Sequence, residues 1–207
     1  MRLSSLDHLV VVAPTLAAGA QYVERRLGVE MQPGGKHARM GTHNLLLRLG
    51  DAYLEVIAPD PDAAPPTRTR WFGLDALEAD AEPRLAHWVA RTQGLAQADA
   101  RLTQTFGTIE SMSRGTLSWQ ISIHADGHLP LGGMLPSLID WGDAEPPARG
   151  LIDRGCRVQR LELRHPDAVV LGQQLEAIGF SGPVAVIPGE GPGLLACIET
   201  PTGLKTL

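Results

Sequence analysis

Between residues 6 and 12 the chain reads Leu, Asp, His, Leu, Val, Val, Val, a short apolar run rich in β-branched residues with a histidine in third place. Residues 85–91 echo it as Leu, Ala, His, Trp, Val, Ala, Arg. Each run predicts a strand that leads into a helical segment. After the first, Pro14 and Thr15 break the extended chain, and residues 16–27 predict an amphipathic helix with Leu16, Ala20, Val23 and Leu27 on one side, closed by Gly28. A short strand over 29–31 and a turn at Gly34 and Gly35 follow. Strands over 42–49 and 52–58, joined through Gly50 and Asp51, complete a β, α, β, β, β order.

The proline-rich stretch 59–66 opens a connector, and the same order then resumes. It predicts a strand over 87–92, a helix over 94–105, and strands over 107–114, 117–124 and 135–141. A second linker at 145–150 opens a shorter unit, with a strand over 157–164, a helix over 167–178, and strands over 184–187 and 194–200. The domain reading is therefore a first module over 1–60, a linker over 61–84, a second module over 85–144 and a third, βαβββ-like unit over 145–207. The class is α+β.

Side chains alternate across a strand, so His8 shares a face with Val10 and Val12, while Leu9 and Val11 face the helix. Glu55 lies with Tyr53 and Ile57, opposite Leu54 and Val56. A carboxylate inside an apolar strand needs a partner. Laying the second module on the first puts His87 at the His8 position and, when 138–141 is laid on 53–56, Asp140 at the Glu55 position. Two imidazoles and two carboxylates that converge suit one divalent metal (zinc, nickel, cobalt, manganese or iron), with neutralisation by arginines as the alternative. In the third unit the equivalent positions carry Arg160 and Cys197, so it reads as ligand-free.

Asn44 and Arg48 share the other face of their strand. Ser118, Gln120 and Ser122 alternate with Trp119, Ile121 and Ile123, which predicts one apolar face and one polar face lining a wet pocket. Asn44, Arg48, Arg91 and Gln120 are accordingly the candidate substrate-binding residues.

Composition narrows the partners. A formal net charge of -5, with 23 acids against 18 Lys and Arg and no basic run, argues against nucleic acid. No stretch reaches the length of a membrane span. Asp7, His8 and Pro14 interrupt the apolar run after Arg2, so it does not read as a secretion signal. Cys156 and Cys197 are too few and too far apart for a disulfide framework and read as reduced. The expectation is a cytoplasmic protein with a small-molecule substrate. The odd third unit, with a strand edge to cover, predicts a homodimer.

The Leu-Asp-His-Leu-Val run at 6–10, Gly-Thr-His-Asn at 41–44, Tyr-Leu-Glu-Val-Ile-Ala-Pro at 53–59 and Leu-Pro-Ser-Leu-Ile-Asp-Trp-Gly at 135–142 resemble the vicinal oxygen chelate superfamily, and within it the glyoxalase-like domain proteins. The resemblance implies βαβββ modules paired into a cup-shaped mixed sheet. It also implies a metal held by His8, Glu55, His87 and Asp140, with Glu55 as the catalytic base of an isomerase or lyase acting on a small oxygen-rich substrate. The same superfamily holds metal-free binding or resistance proteins and extradiol ring-cleaving dioxygenases, so both remain alternatives.

Overall fold

The computed structural model describes residues 3–207; Met1 and Arg2, the latter part of the run weighed above as a signal, lie outside it. The first module contains β1 (Ser5–Val12), α1 (Leu16–Leu27), β2 (Gln32–His37), β3 (Thr42–Leu49) and β4 (Ala52–Pro59). The second contains β5 (Arg84–Arg91), α2 (Ala100–Phe106), β6 (Thr108–Arg114), β7 (Leu117–Ile123) and β8 (Ser137–Asp140). These eight strands form one sheet in the order β2-β3-β4-β1-β5-β8-β7-β6. β1 runs parallel to β4 and antiparallel to β5, so the two modules join edge to edge at the runs that echo one another. The mixed α+β fold with a curled sheet agrees with the expected cup.

Local signals account for α1. The Thr15 hydroxyl accepts from the Ala18 N–H at 3.1 Å, Gly28 is left-handed at φ 69°, and Arg25 and Arg26 sit in the last turn. Gly19 lets the helix approach β4 closely, since a Cβ there would come within 2.3 Å of Val56 Cγ1. Leu9, Val11, Leu54, Val56, Trp88 and Leu138 pack on this convex side, in one core with α1 and the third unit. Val10, Val12, Ile57, Val89, Ile139 and Trp141 line the concave side. β1 is buried on both faces, which explains why its sequence is a continuous apolar run.

Several local expectations need correction. The short strand begins at Gln32, not at residue 29, and Gly34 and Gly35 lie inside β2 at a register shift against β3; the chain reverses over 38–41 instead. The helix over 94–105 divides into a 3₁₀ turn, Leu95–Gln97, and α2. Asp99 starts α2 by capping the Leu102 N–H at 2.8 Å.

The third unit, β9 (Arg157–His165), α3 (Ala168–Ala177), β10 (Val184–Pro188), β11 (Gly193–Thr200) and β12 (Gly203–Thr206), makes a separate sheet in the order β10-β9-β11-β12. Its element order repeats the modules but its strand order does not: β11 runs antiparallel to β9, and Cys197 stands opposite Arg160 in that ladder. Leu161, Leu163, Ala196 and Ile198 pack into the same core as Leu9 and Trp88, so this face is covered within the chain. Phe180 meets the edge of Trp88 with ring centroids 5.1 Å apart.

Candidate functional site

His8 stands at the floor of the cup, 3% exposed, between two carboxylates. Its Nδ1 is 2.7 Å from Asp7 Oδ1 and its Nε2 is 3.6 Å from Glu55 Oε2. Two adjacent strand residues ordinarily face opposite ways. Here the register of β1 against β5 shifts between Leu6 and His8, leaving Asp7 as the extra residue of a β-bulge, so Asp7 and His8 turn to the same face. Asp7 Oδ2 in turn accepts from Trp141 Nε1 at 3.0 Å and lies 3.4 Å from Arg91 Nε. The Tyr53 ring stacks on His8 at 4.5 Å. Burial, followed by the charges of Asp7 and Glu55, raises the Tyr53 phenol well above its ordinary value, so it stays protonated.

Glu55, also buried, is held from its other side. Asn44 Nδ2 donates to Glu55 Oε1 at 2.5 Å, while Asn44 Oδ1 accepts from the Gly35 N–H at 2.7 Å. This fixes which way the Asn44 amide points. The glycine pair allows it: a Cβ on Gly34 would come within 2.0 Å of Asn44 Oδ1. A single chain of contacts therefore runs from Gly35 through Asn44, Glu55 and His8 to Asp7. The narrow cleft above it has Trp71, Phe72, Trp119 and Trp141 among its walls. Phe72 is left-handed at φ 58°, a costly conformation for a residue with a side chain, and its ring stacks on Trp71 at 5.4 Å.

His87 lies on the same face of the sheet, but its ring is committed. Its Nε2 accepts from the Ser137 N–H at 3.0 Å, which puts the proton on Nδ1, facing the Gly133 carbonyl at 3.3 Å. Burial lowers its pKa to about 3, so it is neutral at ordinary pH. Asp140 faces the convex side, where its oxygens accept from the Leu95 N–H at 3.1 Å and the Gly142 N–H at 2.9 Å. The overlay that equated Asp140 with Glu55 was one face out of register. Val10 pairs with Glu55 and Val89 pairs with Ser137, so the residue of the second module that corresponds to Glu55 is Ser137.

These placements decide the metal question on donor chemistry. His8 and Glu55 point at one place, whereas the ring nitrogen of His87 and both oxygens of Asp140 are taken by backbone N–H groups. The expected four-ligand centre does not fit these side chains, and neither does a two-His, one-carboxylate iron site built on His8 and His87. Among the described residues no group of three or more His, Cys, Asp or Glu is arranged to hold a metal ion.

The candidate substrate-binding residues divide similarly. Asn44 belongs to the site. Arg48 is tied at the rim to the Gly50 and Leu151 carbonyls, at 3.0 and 3.5 Å, and Arg91 serves Asp7. Gln120 faces the convex side beside Asp140, because the cup face of β7 is the apolar one, Trp119 and Ile121. The polar face was thus assigned to the wrong side of the strand. Alternation showed which residues share a face but not which face is concave. The candidates read from the sequence also left out Asp7, Tyr53, His37 and Arg114. For Asp7 a signal existed, since it is the polar residue that the second copy of the run replaces with Ala86.

The family model described as glyoxalase-like domain matches residues 6–179. No curated protein matches the chain. Among solved structures, a hypothetical protein from Staphylococcus aureus superposes with a TM-score of 0.64 at 11% identity, covering 91% of this chain and 88% of that one. A methylmalonyl-CoA epimerase from Streptomyces coelicolor, in complex with 2-nitronate-propionyl-CoA, gives 0.45 at 18% identity over 68% and 96% of the two chains. The methylmalonyl-CoA epimerase from Mycobacterium tuberculosis gives 0.42 at 17% identity over 70% and 91%. At 11% identity the first of these likenesses speaks for the fold alone.

Proposed function

The chain belongs to the glyoxalase-like domain family, and from that premise we propose that it is an enzyme of isomerase or lyase type that moves a proton on a small oxygen-rich substrate. The observation that carries this reading is the facing pair His8 and Glu55, 3.6 Å apart, each fixed from behind by a partner of its own. The separation is longer than a hydrogen bond, so the two groups address a common space instead of saturating each other. Glu55 takes a proton from a carbon next to a carbonyl. His8, held by Asp7 with Nε2 facing the cleft, returns a proton to the neighbouring atom. The aromatic walls and the burial of both groups exclude water, which strengthens the electrostatic effect of each on the other. No step is assigned to a metal.

The test is deuterium uptake from D₂O into carbon-bound positions of 2-oxo acids, 2-hydroxy acids and thioesters, followed by NMR. The wild-type protein labels at least one class, and Glu55→Gln and His8→Gln slow labelling by about 10²-fold or more. Labelling unchanged in both variants would overturn the reading. Stoichiometric binding with no labelling would favour the metal-free binding protein.

A further inference from the structure

The cup contains a guanidinium that pairs with no carboxylate among the described residues. Arg114 closes the concave face at the end of β6, with Nη1 at 3.4 Å from both His37 Nε2 and Asn44 Oδ1. Both are uncharged acceptors; burial lowers the His37 pKa to about 4. Arg39 and Arg68, at the same rim, share Glu110, and Arg70 pairs with Asp75. Among the described residues lining the cup, Arg114 is the cation without such a partner.

A second donor is also unspent. Trp71, 4% exposed and a wall of the same cleft, has an indole N–H with no acceptor among the described residues. A buried donor without an acceptor is costly, so a ligand that supplies oxygen atoms is favoured here. The room is built in: a Cβ at Gly35 would come within 2.7 Å of Arg114 Cδ, so glycine there leaves the arginine its place.

We propose that Arg114 anchors the carboxylate of a flat, apolar acid in this cup, making the ligand an aryl or unsaturated 2-oxo or 2-hydroxy carboxylate. One guanidinium matches the two oxygens of one carboxylate, and the tryptophan walls match a planar body. A phosphate dianion would bring more charge beside buried Glu55 than a single arginine balances. Asn44 sets the spacing. Its oxygen faces Arg114 and its nitrogen holds Glu55, so a carboxylate on Arg114 directs toward the base the carbon that carries the labile proton, C2 of a 2-hydroxy acid or C3 of a 2-oxo acid. This inference rests on the His8 and Glu55 reading for the reactive end, but binding can be measured without turnover.

The experiment is a tryptophan-fluorescence titration with phenylpyruvate, phenylacetate and the neutral phenylacetamide. It is run on the wild type, Arg114→Gln, Arg114→Lys and Glu55→Gln. In the wild type both acids saturate the signal and the amide binds about tenfold more weakly or worse. Arg114→Gln brings the acids to the level of the amide and leaves the amide unchanged, Arg114→Lys falls between, and Glu55→Gln keeps the acid preference while losing deuterium uptake. Should Arg114→Gln not fold, the wild-type preference for acid over amide, and its decline with added salt, decides the matter. Acids and amide binding alike, an equal loss of all three in Arg114→Gln, or no saturation by either acid at about 10 mM would overturn the anchor. Uptake that persists alongside such a result would leave the base pair standing. Acid preference without uptake would instead remove the base pair and keep the anchor.

Discussion

Asp7 and Ala86 occupy the same place in the two halves of the sheet: each is the extra residue of a β-bulge, one position before a histidine on the cup face. The bulge turns both toward the concave side, where Asp7 meets His8, Trp141 and Arg91, and Ala86 packs among apolar neighbours. The histidines lie diagonally across the directly paired Leu9 and Trp88. Glu55 beside the first has Ser137 as its counterpart beside the second. The duplicated scaffold therefore carries its ionisable set on one half, Asp7, His8 and Glu55, against Ala86, His87 and Ser137 on the other.

Removing the charge of Asp7 tests its role as the group that orients His8. Asp7→Asn keeps the shape and the partner for Trp141 but no longer holds the His8 Nδ1 proton with a carboxylate. Deuterium uptake falls by about 10²-fold or more. Ligand affinity in the fluorescence titration stays within about threefold, since Asp7 lies behind His8 rather than against the ligand.

The glycine pair in β2 is a second lever on the site. Gly34→Ala places a methyl on the Asn44 amide, forcing it off Glu55 Oε1. Lost packing and a lost buried hydrogen bond predict a destabilisation of about 1–3 kcal/mol by urea denaturation. Uptake falls along with it. A variant with wild-type uptake would show that the Asn44 contact does not matter to the base.

In the other half, His87→Gln should behave as a structural change. Glutamine offers an acceptor for the Ser137 N–H but does not fill the place of the ring against Phe72, whose centroid is 5.3 Å away. Stability drops by about 1–3 kcal/mol, while uptake per folded molecule stays within a few-fold of wild type. A loss as large as that of His8→Gln would return His87 to the chemistry.

Acid sensitivity follows from the same burial. His87 and His37 have folded-state values of about 3 and about 4, both below the unfolded value of about 6.5. The unfolded chain therefore binds more protons between those limits. The stability that each contributes is complete above about pH 6.5 and is lost as pH falls toward its folded value, at about 1.4 kcal/mol per pH unit for each group. Urea midpoints measured from pH 7 to pH 4 should fall less steeply for His37→Gln than for wild type; parallel curves would show that His37 is not held neutral.

The chain by itself determined the elements and their repetition. Period-two alternation, the caps at Thr15 and Gly28 and the echo of 6–12 in 85–91 are local, and they were enough for the α+β class, the paired modules and the burial of His8 and Glu55 on one face. Tertiary structure alone decided what those residues meet. A single extra residue in β1 turned Asp7 toward His8, register exchanged Asp140 for Ser137 at the second base position, and curvature made the apolar face of β7 the inside of the cup. It also carried Arg114 across from β6 to Asn44 on β3. The physical reason is that alternation tells which side chains share a face, while bulges, register and curl arise from pairing between strands far apart in the chain, and a shift of one residue reverses every face that follows.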